Sequence, residues 1–255
     1  MKWVLAFLLV SASLCIPAGL KRCTCSFHLS RCIPPKLENL TGALFSSLSS
    51  EEIKEILSQP FTYLDRGAQS FVFASQDGKY ALKLFFFEHN SEKASALRMS
   101  CKAAMLAAEE TALVYLHFGP SSKPIGKIKL CGPAWHRVTI KGSDYCFALQ
   151  RMATPLKEAI LRAYLNKDRD AFLKKVDALF TLLHRRVNKG IHNSDGSLFS
   201  NFGFLEDGQA IEIDFGHYRF DSKWSEEEKI REIARYKKRL GEWVFIAMPE
   251  WAEIL

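Results

Sequence analysis

The chain has 255 residues, of which 48% are hydrophobic and 25% are charged, and its formal net charge is +7. This apolar content excludes an intrinsically disordered chain, and the length fits one domain or two small lobes. The basic excess favours anionic partners, such as nucleotides or an anionic membrane surface, but it is too small to exclude other classes of partner.

The N-terminus is typical of a secretory signal. Lys2 precedes the apolar run Trp3–Val10, and the small residues Ser11–Ser13 follow. One positive charge, a short apolar segment and small residues are the parts of a signal peptide. Residues 1–18 are therefore predicted to be a signal peptide or membrane anchor. The protein would then be secreted or membrane-associated, or cytoplasmic if the segment is not functional.

Residues 19–48 form an irregular leader that contains cysteines. Three cysteines and one histidine fall close together: Cys23, Cys25, His28 and Cys32. Such a set could bind zinc, although no C-x-x-C spacing is present, and export would instead favour a local disulfide. Three further cysteines lie in apolar stretches and are predicted to be core residues: Cys101, Cys131 and Cys146.

The next segments predict a short helix and then a sheet. Ser49 and Glu52 form a capping-box pattern at the start of a helix that ends before Pro60. Three runs rich in aromatic and β-branched residues are predicted to form an antiparallel meander: Phe61–Arg66, Ser70–Ser75 and Tyr80–Phe87. A long helix, Ser91–Leu116, is followed by the predicted strands Val138–Ile140 and Cys146–Gln150 that close the sheet.

The second half is mostly helical. Its predicted elements are the helices Leu156–Leu165, Asp170–His184 and Ser225–Leu240, and the hairpin strands Phe202–Leu205 and Ala210–Ile213. This order predicts an α+β, two-lobed arrangement, with residues 49–150 in one lobe and 151–255 in the other. The last helix carries six basic residues: Lys229, Arg231, Arg235, Lys237, Lys238 and Arg239. They suit the C-terminal part of a helix or, alternatively, an anionic surface.

Two neighbouring strands carry residues suited to binding a nucleotide. Ala81 and Lys83 fall on one face of a strand, so a flat base could approach the small residue while the ammonium reaches phosphate oxygens. One strand earlier, Gly67 begins a turn whose small residues Ala68 and Ser70 permit close approach of the backbone to phosphate.

Acidic and amide side chains later in the chain suit metal binding and proton transfer. Asp214 ends an apolar strand, thirteen residues after Asn201. Their oxygens are ligands that Mg²⁺ prefers. Asp195 precedes Asn201 by six residues and could orient and deprotonate a hydroxyl nucleophile.

Together these motifs resemble those of protein kinases over residues 61–216. Gly67–Val72 is similar to the glycine-rich loop, Tyr80–Lys83 to the V-A-I-K strand, His192–Asn201 to H-R-D-x-x-x-x-N and Asp214–Gly216 to D-F-G. The loop keeps one glycine of three, and Asp195 is one residue farther from Asn201 than in kinases.

The resemblance implies ATP and Mg²⁺ as cofactors and a role for each motif residue. Asp195 and Lys83 would be catalytic, and Asn201 and Asp214 would bind the metal. The nucleotide would be bound by Gly67, Ala68, Ser70, Val72, Ala81 and Lys83, with Glu109 paired to Lys83. Glu110 is the alternative for that pairing, and Leu149–Met152 would be the hinge beside adenine.

The fold that the resemblance implies is a two-lobed kinase-like one, with a five-stranded antiparallel N-lobe sheet and a small, truncated helical C-lobe. Only 39 residues follow Gly216. The acceptor stays open among a protein hydroxyl, a lipid and a small molecule, and no nucleic-acid partner is predicted. The alternative is a non-catalytic, pseudokinase-type module that binds a nucleotide or another protein.

Overall fold

The computed structural model describes residues 27–34, 45–87, 91–121, 125–133 and 136–254. The signal segment 1–18 and most of the leader, including Cys23 and Cys25, lie outside these residues, so the predictions made for them stay predictions. In the leader that is described, Cys32 is a buried free thiol, and burial raises its pKa to about 12. No helix among the described residues combines the length and apolarity needed to cross a bilayer.

The α-helices of the described residues are α1 Ser50–Ser58, α2 Ser91–Leu106, α3 Ala108–Thr111, α4 Leu156–Leu165, α5 Arg169–Asn188, α6 Leu198–Asn201 and α7 Glu226–Ala247. The strands are β1 Phe45–Ser46, β2 Pro60–Arg66, β3 Ser70–Ser75, β4 Tyr80–Phe85, β5 Leu113–His117, β6 Lys127–Cys131, β7 Arg137–Lys141, β8 Phe147–Arg151, β9 Thr154–Pro155, β10 Ile191–Asn193, β11 Phe202–Phe204, β12 Ala210–Glu212 and β13 Tyr218–Phe220. The α+β character is thus confirmed.

The prediction of a five-stranded antiparallel sheet is wrong. The main sheet has eight strands in the order β1-β5-β8-β4-β3-β2-β6-β7, and β2 and β6 run parallel. Strand β6 was missed, although Ile128 and Leu130 are buried and alternate with exposed lysines, as in a half-buried strand. The hairpin of β6 and β7 joins the outer edge of β2, so β7 does not pair with β8 as expected.

The predicted helix Ser91–Leu116 is too long. Helix α2 ends at Leu106, the single turn α3 follows, and Ala112 adopts a left-handed conformation with φ 48° that ends it. Leu113–His117 is the buried strand β5, which pairs with β8 in the sheet. Pairing across the sheet thus overrides the helix propensity of this segment.

Other predictions made from short stretches of sequence agree with the structure. The capping box at Ser49 and Glu52 is confirmed, as is the hairpin of β11 and β12, while the last helix continues beyond the predicted Leu240 to Ala247. One cluster of buried side chains includes Leu82 and Leu84 and packs against α1. The opposite face of the sheet packs against α2, and Phe215 from the segment after β12 joins that core. This packing holds Asp214 beside strand β4.

Candidate functional site

Lys83 is a buried lysine on the face of β4 that looks toward the segment after β12. Its side chain is 6% exposed, and its ammonium donates a hydrogen bond to the carbonyl oxygen of Ile213. Burial lowers the pKa of Lys83, while the negative charge of Asp214 acts in the opposite direction. The structure therefore brings Lys83 and Asp214 together, as the motif predicted.

The neighbours of Lys83 on this face of the sheet are small. Val72 lies opposite Lys83 on β3, and Ala148 lies opposite it on β8. Ala81 lies two residues along the strand, so its side chain points to the same side. The strand that the structure shows therefore places Ala81 and Lys83 on one face, as predicted.

Asn201 and Asp214 are joined through the backbone. The carbonyl oxygen of Asn201 accepts hydrogen bonds from the amides of Ile213, at 2.5 Å, and Asp214, at 3.4 Å. The Asp214 carboxylate is oriented by the amide of Gly216, which donates to Oδ1 at 2.9 Å. These bonds hold the two predicted metal ligands next to each other.

Asp195 lies in a tight turn at the start of the loop between β10 and α6. Its carboxylate accepts a hydrogen bond from the amide of Ser197 at 2.9 Å. Burial raises the pKa of Asp195, but the Asn201 amide, the Ser197 amide and the charges of His217 and Arg239 together outweigh it, so the pKa is lowered. The carboxylate is therefore ionised at neutral pH, as a base or orienting group must be.

The side chain of Asn201 lies against Asp195 and is only partly satisfied. Its Oδ1 accepts from the hydroxyl of Ser200 at 2.9 Å. The buried Nδ2 approaches Asp195 but completes no hydrogen bond of normal geometry within the described residues. The Asn201 amide is therefore oriented by Ser200 and faces the Asp195 carboxylate.

This set of donors fits Mg²⁺. The Asp214 carboxylate and the Asn201 amide oxygen are hard ligands, and Mg²⁺ is commonly held by one or two such groups together with nucleotide phosphates. Clusters of three or more His, Cys, Asp or Glu are absent from the described residues, so a site formed by the protein alone is not seen there. The metal would therefore be held jointly with phosphate oxygens.

The loop that begins at Gly67 packs against the segment after β12. A Cβ added to Gly216 would collide with the carboxamide of Gln69, and Gln69 Nε2 lies 3.3 Å from His217 Nε2. The buried Gln69 Oε1 has no partner within the described residues. Ala68 precedes Gln69 in this loop and Ser70 follows it, so the predicted phosphate loop does face Asp214, with Gln69 between them.

Glu109 is not brought to Lys83. It lies on the short helix α3, its side chain is exposed, and its carbonyl oxygen accepts from Gln209 at 3.4 Å. Glu110 is fully buried, but it pairs with Lys189 at 2.7 Å. Because α2 ends before these residues, neither carboxylate reaches the sheet face of Lys83, and the acid beside that lysine is Asp214.

Two residues of the predicted hinge Leu149–Met152, namely Arg151 and Met152, line a cavity of about 670 Å³. The cavity is lined by Arg151–Thr154, by the turn before β4 and by β11. Gly203 packs closely here, since a Cβ on it would lie 2.7 Å from the carbonyl oxygen of Thr154 and 2.9 Å from Cδ1 of Ile213. The hinge amide of Met152 is engaged by the carbonyl oxygen of Lys79 at 2.7 Å.

A buried polar network behind the site was not predicted. Arg186 on α5 donates two hydrogen bonds to Glu212, at 3.0 and 2.9 Å, and also pairs with Glu232 on α7. The hydroxyl of Tyr218 donates to Glu212 at 2.7 Å. Arg186 falls three residues after Leu183, on the apolar face of α5. A charged residue on an apolar helix face indicates a buried ionic partner, so the sequence did hold a signal for this network.

Asn193 connects this network to the loop that carries Asp195. Its Nδ2 donates to Glu212 at 2.7 Å and to the carbonyl oxygen of Asp214 at 3.3 Å, and its Oδ1 accepts from the amide of Asp195 at 2.9 Å. One buried amide thus fixes Asp195 relative to Asp214. We interpret Asn193 as a positioning residue.

No protein-family model and no curated protein sequence matches this chain.

Proposed function

We propose that the chain is an ATP-dependent phosphotransferase that transfers the γ-phosphoryl group to a hydroxyl acceptor. The observation that carries the proposal is the convergence of a buried lysine, two carboxylates and an asparagine from separate segments: Lys83, Asp195, Asn201 and Asp214. Lys83 and Asp214 are in electrostatic contact, Asn201 is hydrogen-bonded to Asp214, and Asp195 lies against Asn201. The resemblance to kinase motifs supports the same reading.

Each side chain has a role that its surroundings support. Lys83 would exchange its bond to the Ile213 carbonyl for phosphate oxygens, and burial would make that charge interaction strong. Asn201 and Asp214 would hold Mg²⁺, which neutralises charge on the phosphates when it is bound. Asp195 would accept the hydrogen bond of the acceptor hydroxyl and so orient its oxygen.

The transfer step needs no further group. The acceptor oxygen forms a bond to the γ-phosphorus while the bond from that phosphorus to the β–γ bridging oxygen breaks, and ADP leaves with the electron pair. The hydroxyl proton passes to Asp195, which releases it to water. Positioning and charge stabilisation supply most of the rate in such reactions.

A non-catalytic module that binds a nucleotide is the second candidate, and one observation favours it. Lys83 is engaged by a backbone carbonyl, and Gln69 is seated between the loop and Gly216, so the cleft is closed in this conformation. A nucleotide would have to displace both contacts. A cleft that must open before a nucleotide binds fits an enzyme with slow turnover. It also fits a non-catalytic protein that changes conformation when the nucleotide binds.

Nucleotide binding should stabilise the full-length protein. Mg²⁺-ATP at about 100 times its dissociation constant should add about 2.7 kcal/mol to the free energy of unfolding, because the ligand binds only the folded state. Lys83→Ala should reduce the resulting shift in melting temperature, and omission of Mg²⁺ should reduce it too. Differential scanning fluorimetry measures both effects.

The matched control is Lys129→Ala, which removes an exposed lysine from strand β6 of the same sheet. It should leave the shift unchanged. If wild type shows no shift at millimolar Mg²⁺-ATP, the proposed function is wrong.

A further inference from the structure

Helix α7 lies along the predicted catalytic loop and presents one row of side chains to it. Nη2 of Arg235 donates to the carbonyl oxygen of Asn193 at 3.1 Å. One turn later, the guanidinium of Arg239 contacts Gly196. After a further turn, the ring centroids of Trp243 and Phe199 lie 4.7 Å apart. Residues four apart lie on one helix face, so this row follows the segment from Asn193 to Phe199, which contains Asp195.

The guanidinium of Arg239 rests against the backbone of Gly196. A Cβ on Gly196 would lie 3.0 Å from Cζ and 3.1 Å from Nη2 of Arg239. Gly196 follows Asp195 directly, so the absence of a side chain there is what lets the guanidinium approach the carboxylate.

The guanidinium of Arg239 is accessible to a ligand. Its side chain is exposed, and in the part of the chain that is described the guanidinium completes no hydrogen bond and no ion pair. Arg235, by contrast, is engaged by Asn193. A guanidinium offers five N–H donors in a fork that matches phosphate or carboxylate oxygens.

We propose that the acceptor carries an anionic group, phosphate or carboxylate, besides its hydroxyl, and that Arg239 binds that group. The inference rests on the proposed function, since it places the acceptor hydroxyl at Asp195. An anionic acceptor would be repelled by Asp195 and Asp214, and the positive charge of Arg239 beside Gly196 would offset this repulsion. The half-buried rings of Phe199 and Trp243 would border the rest of the acceptor.

Inorganic phosphate is the first probe, titrated into the full-length protein with Mg²⁺ and a non-hydrolysable ATP analogue filling the nucleotide site. Wild type should bind phosphate, and Arg239→Gln should weaken the binding by about tenfold or more, as expected for loss of a charged hydrogen bond. Lys237→Gln is the control, because it makes the same charge change two residues away, on another face of α7.

Turnover with paired acceptors is the second measurement. Wild type should prefer glycerol 3-phosphate to glycerol, and Arg239→Gln should abolish that preference mainly through KM, with Arg239→Lys retaining part of it.

The outcomes separate the two proposals. Equal phosphate binding by wild type and Arg239→Gln would overturn this inference alone, as would an equal preference for glycerol 3-phosphate over glycerol in the two proteins. Absence of Mg²⁺-ATP binding in wild type would overturn the proposed function itself.

Discussion

Replacing Asp195 with asparagine should lower phosphoryl transfer by about 10²-fold or more, within the range for general acid–base groups. The change keeps the size of the side chain and removes the carboxylate that would receive the hydroxyl proton. Mg²⁺-ATP binding should change little, because Asp195 would face the acceptor and not the nucleotide. Steady-state ADP release and equilibrium nucleotide binding measure the two quantities separately.

The control for this variant is Asp207→Asn, in the turn between β11 and β12. Asp207 also caps its own turn, through the amide of Gln209 at 2.9 Å, but its carboxylate pairs with the exposed end of Arg151 at the predicted hinge and not with Asn201 or Lys83. Its turnover should match wild type. If wild type turns over no ATP while nucleotide binding persists, the chain is a binding module and the enzymatic role is wrong.

Replacing Arg186 with methionine should cost about 3–5 kcal/mol of unfolding free energy, the usual result of removing one partner from a buried ion pair. Glu212 would keep its burial and lose its counter-ion. For a chain of this size the melting temperature should fall by about 6–20 °C. Thermal unfolding followed by circular dichroism measures the change.

Two further variants test the cause of that loss. Arg162→Met removes an exposed i,i+4 pair with Glu158 and should change stability by less than about 1 kcal/mol. The double variant Arg186→Met, Glu212→Met should recover part of the loss, because an apolar pair can replace a buried ion pair. A loss below about 1 kcal/mol for Arg186→Met alone would contradict the account of the network.

Local signals predicted those parts of the fold that depend on nearby residues. The capping box at Ser49, the meander of β2, β3 and β4, and the hairpin of β11 and β12 follow from capping, alternation and turn chemistry within a few positions. The parallel pairing of β2 with β6 joins segments some 70 residues apart, as in Phe61 with Leu130, and no local pattern encodes it. The run Leu113–His117 is a strand only because β8 lies beside it.

The candidate site, like the fold, was predictable only where the signal lies in the local sequence. Lys83, Asn201 and Asp214 stand out because each is a polar residue within or beside an apolar segment at kinase-like spacing, and the structure places them together. Glu109 was chosen from spacing along a helix that ends earlier than predicted, so the choice lost its geometric basis. The roles of Gln69 and Arg239 depend on contacts between distant segments and have no signature in the sequence alone.

The most direct test of the central claim is an isothermal titration of Mg²⁺-ATP into the full-length protein and into its Asp214→Asn variant. The account predicts one site in wild type with a dissociation constant below about 1 mM, as is usual for enzyme substrates. In Asp214→Asn the affinity for Mg²⁺-ATP should fall by about tenfold or more. Removal of Mg²⁺ should reduce the ATP affinity of wild type by a similar factor and that of the variant by less. Equal affinities for the two proteins, or no binding at several millimolar Mg²⁺-ATP, would contradict the account.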